Sequence, residues 1–80
     1  MASPDDNTLF MWTVYDRPRD YPHSFVARKF AVSGVGGTLA TADMIVAPDL
    51  DSIRKLMVNR GLTCITRSPD DDPKIVETWL

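Results

Sequence analysis

Residues 48–61 read PDLDSIRKLMVNRG, and the helix signals in this stretch all agree. Apolar side chains recur at helical spacing at Leu50, Ile53, Leu56 and Met57. Pro48 or Asp49 is expected to begin the helix, since both residue types favour first-turn positions, and Gly61 is expected to end it. We therefore expect one amphipathic helix whose apolar stripe packs on a sheet.

Short apolar and β-branched runs on both sides of the helix predict strands. The runs are LFMWTVY (9–15), FVARKFAV (25–32), a short one near 44–47, LTCITR (62–67) and KIVETWL (74–80). In the last run Ile75, Glu77 and Trp79 are expected to share one face. The order β-β-(β)-α-β-β predicts an α+β fold, with one helix on one face of an antiparallel sheet of four to five strands.

Composition indicates one small globular domain. The chain has 80 residues, of which 44% are hydrophobic and 25% charged, with a net charge of −2. We expect a flexible N-terminal tail at 1–8 and a single domain at 9–80. The acidic balance disfavours bulk attraction to nucleic acid or anionic lipid. One cysteine, Cys64, no leader-like N-terminus and no long apolar run predict a cytoplasmic protein that is not in a membrane.

The connection between the first two predicted strands, YDRPRDYPHSF (15–25), is unusually rich in functional groups. Pro18 and Pro22 each hold the preceding residue extended, which projects that side chain from the backbone. Tyrosine and arginine are enriched at binding hot spots, and arginine matches carboxylate and phosphate geometry. The loop is therefore a candidate binding surface for a protein or a small anionic ligand. Its candidate residues are Tyr15, Arg17, Arg19, Tyr21 and His23.

Other interpretations of this loop stay open. The default is a structural brace, in which Asp16, Arg17, Arg19 and Asp20 pair among themselves and the tyrosines cover the sheet edge. Nucleic-acid binding by the same loop is the alternative function, although no interleaved basic stripe supports it. Arg28 is a candidate to pair with Glu77 or an aspartate. The isomer of the Tyr21–Pro22 bond is undecided.

The sequence predicts no catalytic activity, no cofactor and no metal site. His23 and Cys64 form the only available nucleophilic pair, and Cys64 lies mid-strand, where cysteines are usually inert. SPDDDP (68–73) lacks the spacing of a calcium loop and SGVGG (33–37) lacks the context of a phosphate loop, so both are expected to be turns. If the last strand is an unpaired edge, it would favour a homodimer through the sheet edge.

Three pieces of the chain resemble a group of short stand-alone bacterial proteins of unassigned function. They are WTVYDRPRDYPHSFVARKF, DLDSIRKLM with RGLTCITRSPDDDP, and the terminal IVETWL. The resemblance implies a bacterial, cytoplasmic setting. It implies no site residues, because the group has none assigned.

Overall fold

The computed structural model describes residues 8–34, 37–66 and 73–80, and within them five strands and one helix. These are β1 (Thr8–Asp16), β2 (Phe25–Ser33), β3 (Gly37–Ala47), α1 (Leu50–Asn59), β4 (Cys64–Thr66) and β5 (Ile75–Trp79). The strands form one antiparallel sheet in the order β3-β2-β1-β5-β4. The predicted α+β fold is confirmed.

The helix begins and ends where its capping residues predict. The Asp49 carboxylate accepts a hydrogen bond from the Ser52 backbone N–H at 2.8 Å, satisfying one of the free donors of the first turn. This hydrogen bond and a second from the Ser52 side chain lower the pKa of Asp49. Gly61 follows the helix with φ +75, a conformation that glycine adopts without strain.

The core lies between the helix and one face of the sheet. Ile53 and Met57 are fully buried, and they pack with Trp12, Val14, Ala27, Ala47 and Trp79. Leu56, predicted to belong to the apolar stripe, is 40% exposed. The reason is geometric, because adjacent helical residues lie about 100° apart and Met57 faces the sheet directly. Leu56 therefore lies at the margin of the stripe.

β3 is longer than its sequence predicts, spanning Gly37–Ala47 instead of 44–47. Its register against β2 shifts between Arg28 and Phe30, so residues 41–43 lie opposite Lys29 alone. The Thr41 hydroxyl donates to the Lys29 carbonyl at 3.0 Å and accepts from the Asp43 N–H at 3.2 Å. This irregularity interrupts the alternation of side chains, and the alternation is what identifies a strand in a sequence.

A second irregularity corrects the faces predicted for β5. Val14 lies opposite Glu77 but Tyr15 lies opposite Ile75, so Val76 is an extra residue on that strand. Glu77 and Trp79 share one face of the sheet, as predicted, and that face is the one covered by the helix. Ile75 instead lines a depression on the opposite face with Tyr15. β5 also lies between β1 and β4, so the condition under which the last strand would favour a homodimer is not met.

Two predicted segments fall largely outside the described residues: the N-terminal tail (1–8) and the SPDDDP turn (68–73). Thr8 is described and belongs to β1. Among the described residues, no helix has both the length and the apolar character needed to cross a bilayer.

Gly61→Ala is expected to destabilise the fold by about 1 kcal/mol, because an L side chain is strained at positive φ. A Cβ at Gly61 would meet no atom within 4 Å, so the loss would come from the backbone alone. Gly34→Ala is the matched control, since Gly34 is equally open and has no positive φ. Urea unfolding of both variants measures the difference, and equal losses would contradict the prediction.

Candidate functional site

The β1–β2 connection folds into two consecutive turns at one end of the sheet. The Tyr21 N–H donates to the Pro18 carbonyl at 2.9 Å, and the Ser24 N–H donates to the Tyr21 carbonyl at 3.2 Å. Arg17 starts the loop at φ 47, which is not the extended conformation expected before Pro18, and the Tyr21–Pro22 bond is trans. The loop is therefore a hydrogen-bonded structure that can hold side chains in fixed positions.

A charged concavity of about 400 Å³ lies beside this loop. Its lining residues are Tyr15, Pro18, Arg19, Asp20, Arg28 and Lys74. Three of these side chains are cationic and one is a carboxylate, so the lining carries a formal charge of +2. The described lining residues therefore carry a net positive charge, although the whole chain has a net charge of −2.

Strands β1 and β2, the loop between them and the segment before β5 supply this lining. Thr13 pairs with Arg28 and Tyr15 with Val26, so Tyr15 and Arg28 project from the same face of the sheet. Arg28 Nη2 lies 2.6 Å from Asp20 Oδ2, which ties the loop to β2. Lys74 arrives from the segment before β5, where its carbonyl accepts the Asp16 N–H at 2.8 Å.

The five residues predicted for the site do not all converge. Tyr15 and Arg19 line the concavity, whereas Arg17, Tyr21 and His23 are not among its lining residues. Tyr21 is half-buried and His23 is exposed. The structure thus brings together one tyrosine and one arginine of the predicted set.

Arg17 instead lies on the helix side of the sheet. Its Nε is 2.6 Å from Asp16 Oδ1, and its guanidinium carbon is 6.0 Å from the centre of the Phe25 ring, which packs against the helix-side core. The hydrogen bond to Arg17 lowers the pKa of Asp16, and the same bond raises the pKa of Arg17. This ion pair agrees with the brace interpretation.

Sequence reasoning missed Asp20 and Lys74 as lining residues and treated Arg28 as a structural partner. Arg28 was expected to pair either with Glu77 or with an aspartate. It pairs with Asp20, whereas Glu77 pairs with Arg54. Strand alternation could have placed Arg28 with Tyr15, because the register puts both on one face. Within the described residues Arg19 forms no ion pair, so the brace accounts for only part of the loop.

A second polar cluster lies under the helix around Glu77, which is 4% exposed. Its carboxylate accepts from Arg54 Nη2 at 2.8 Å and from Trp79 Nε1 at 2.8 Å. Burial alone would raise the pKa of Glu77, but these hydrogen bonds, the Arg54 charge and a hydrogen bond from Cys64 lower it. In the described part of the chain no buried side-chain nitrogen or oxygen atom lacks a hydrogen-bond partner, which is typical of a structural network.

The same cluster disfavours ionisation of the exposed Cys64 thiol. Burial raises the pKa of the Cys64 thiol, and the negative charge of Glu77 raises it further. A thiol held protonated attacks slowly, because the thiolate is the reactive form. His23 lies in the β1–β2 loop, whereas Cys64 lies on β4 at one edge of the sheet. In the part of the chain that is described, no group of three or more His, Cys, Asp or Glu side chains could hold a metal ion.

Comparison with known proteins gives no relative. No protein-family model matches the chain, and no curated protein or solved structure matches it either. What the chain binds is therefore inferred from its own side chains.

Proposed function

We propose that this protein is a non-catalytic binding module that recognises a small anionic group in the concavity beside the β1–β2 loop. The group would be a carboxylate or phosphate, either on a free ligand or displayed by a partner protein. The observation that carries this proposal is the lining itself, where Arg19, Arg28 and Lys74 surround about 400 Å³ and Asp20 is the carboxylate among the described lining residues.

Three lining residues, Arg28, Arg19 and Tyr15, are assigned roles in binding, and they differ in how firmly their neighbours fix them. Arg28 is fixed by Asp20, so its position costs little entropy on binding. Arg19 is exposed and forms no ion pair within the described residues, which leaves its two-pronged donor face for a ligand. Tyr15 is half-buried at the wall and supplies contact area. A fixed arginine beside an uncommitted one suits an anion with two or more oxygens.

Replacing Arg19 with alanine is expected to weaken phosphate binding about tenfold, because one charge-assisted contact is lost. The probe is inorganic phosphate, titrated into the full ¹⁵N-labelled chain and followed by amide chemical shifts. The parent protein should show saturable shifts at Tyr15, Arg28 and Lys74.

Arg17→Ala is the matched control for this experiment. It removes an arginine from the same loop, but one that lies on the other side of the sheet. Binding by this control should equal that of the parent. Absence of saturable shifts, or equal losses from both variants, would overturn the proposal.

The same protein preparation tests the nucleic-acid alternative. A protein that neutralises many phosphates loses affinity steeply with salt, whereas one that binds a single anionic group has a shallow dependence. Retention on heparin with a steep salt response would replace the small-anion proposal with nucleic-acid binding.

The bacterial, cytoplasmic setting is part of the same proposal. It is supported by the resemblance described above and by a single cysteine that has no internal partner for a disulfide. Fractionation of cells that express the full chain checks the location.

A further inference from the structure

The outer edge of β3 is an open hydrogen-bonding template. Within the described residues, β3 pairs with β2 on one side and with no strand on the other. It is 11 residues long, whereas the described part of β4, at the opposite edge, has 3. A long unpaired edge presents backbone N–H and C=O groups that can pair with a strand of another chain.

This edge lacks most features that prevent such pairing. The β3 sequence GTLATADMIVA contains no proline or lysine and one charged residue, Asp43, which lies 3.8 Å from Lys29 Nζ. Leu39 is 71% exposed, the largest exposed fraction among the described large apolar side chains. The register shift opposite Lys29 interrupts the edge at residues 41–43, so the regular segment around Leu39 is the part suited to pairing.

A cross-strand row of apolar side chains ends at Leu39. Phe10 lies opposite Ala31, and Ala31 lies opposite Leu39, so these three side chains share one face of the sheet. Phe10 is 46% exposed, because the row lies at the end of the strands farthest from the β1–β2 loop. A partner strand next to Leu39 would extend this row.

We propose that two copies of this chain pair antiparallel through β3, with the two-fold axis at Leu39. Leu39 would then face its own copy, and Thr38 would face Ala40. The apolar row would run unbroken from Phe10 of one copy through both Leu39 side chains to Phe10 of the other. No charge faces a charge in this register, and a single sheet spans the dimer.

The two-fold arrangement also explains why the assembly would stop at two copies. An isologous contact uses the same surface on both partners and leaves none of it free. Growth into a filament would require a second, different surface on each copy. A second copy of this chain suits the edge, because in this register the apolar row of each copy meets the same row of the other.

Sedimentation of the full chain over a range of concentrations tests this dimer, and a reversible monomer–dimer equilibrium is the expected result. Leu39→Lys should raise the dissociation constant about tenfold or more, because it places two like charges opposite each other and interrupts the row. Ala40→Lys, at an exposed neighbouring position, is a second variant in case the first does not fold.

Val58→Lys is the matched control, since Val58 is 62% exposed on the helix and outside the proposed contact. Hydrogen exchange should show residues 37–41 becoming more protected as concentration rises, with β4 unchanged. A monomer at every concentration, or equal dissociation by the Val58→Lys control, would overturn the dimer. Arg19→Ala should still form the dimer, because the phosphate-binding concavity lies at the other end of the sheet.

Discussion

Replacing Ile53 with alanine is expected to lower the free energy of unfolding by about 3–4 kcal/mol. Ile53 is fully buried, and it is one of the two buried helix residues that pack with the sheet side chains of the core. The loss combines the transfer free energy of the deleted carbons with the cavity they leave. The free energy of unfolding of a domain of this size is about 5 kcal/mol, so the variant should be close to unfolding at 37 °C.

Urea unfolding followed by circular dichroism measures this loss. Val58→Ala is the control, because it shortens an apolar side chain on the same helix that is 62% exposed. The control should change stability by less than about 0.5 kcal/mol. A small loss from Ile53→Ala would mean that the helix does not pack on the sheet as described, and the positions of both proposed surfaces would then lose their support.

The helix could be predicted from sequence because its signals are local. The Asp49 cap lies three residues from its Ser52 partner, and the apolar repeat needs only the helical period. The helical period alone does not predict that Leu56 is exposed, because its exposure depends on the direction in which the sheet lies.

The extent of β3 and the face of Ile75 could not be predicted, for a common reason. Each depends on an extra residue in one strand relative to its neighbour, and a register shift of this kind inverts the faces that alternation assigns. These register shifts are determined by how neighbouring strands pair, and the residue pattern of one strand carries no information about that pairing.

The sequence also predicted only some of the residues that line the candidate site. Tyr15 and Arg19 belong to the loop that composition singled out, and both line the concavity. Lys74 reaches it only because β5 pairs with β1, a contact distant in sequence. Arg17 has the same chemistry as Arg19, but the turn at its positive φ carries it to the other side. Composition therefore located the loop, and pairing selected the side chains that converge.

Glu77→Gln is expected to lower the free energy of unfolding by about 2 kcal/mol at neutral pH, because it removes the charge that Arg54 neutralises under the helix. This loss of about 2 kcal/mol is smaller than the loss expected for a fully buried ion pair. The Arg54 side chain is 47% exposed, so water can solvate it after the substitution. The amide oxygen of glutamine can still accept from Trp79. Urea unfolding gives the difference, and Asp43→Asn, which removes an exposed partner of Lys29, should have little effect.

The difference between the parent and Glu77→Gln should disappear in acid. The pKa of Glu77 is lower in the folded chain than in the unfolded one, so its ion pair stabilises fully above the unfolded pKa. That stabilisation is lost as the pH falls through the folded pKa. Asp16 and Asp49 also have lowered pKa values, but both proteins contain them, so their contribution cancels in the difference. Unfolding curves from about pH 7 to about pH 3 should therefore converge, and a constant difference over that range would show that packing, and not charge, sets the role of Glu77.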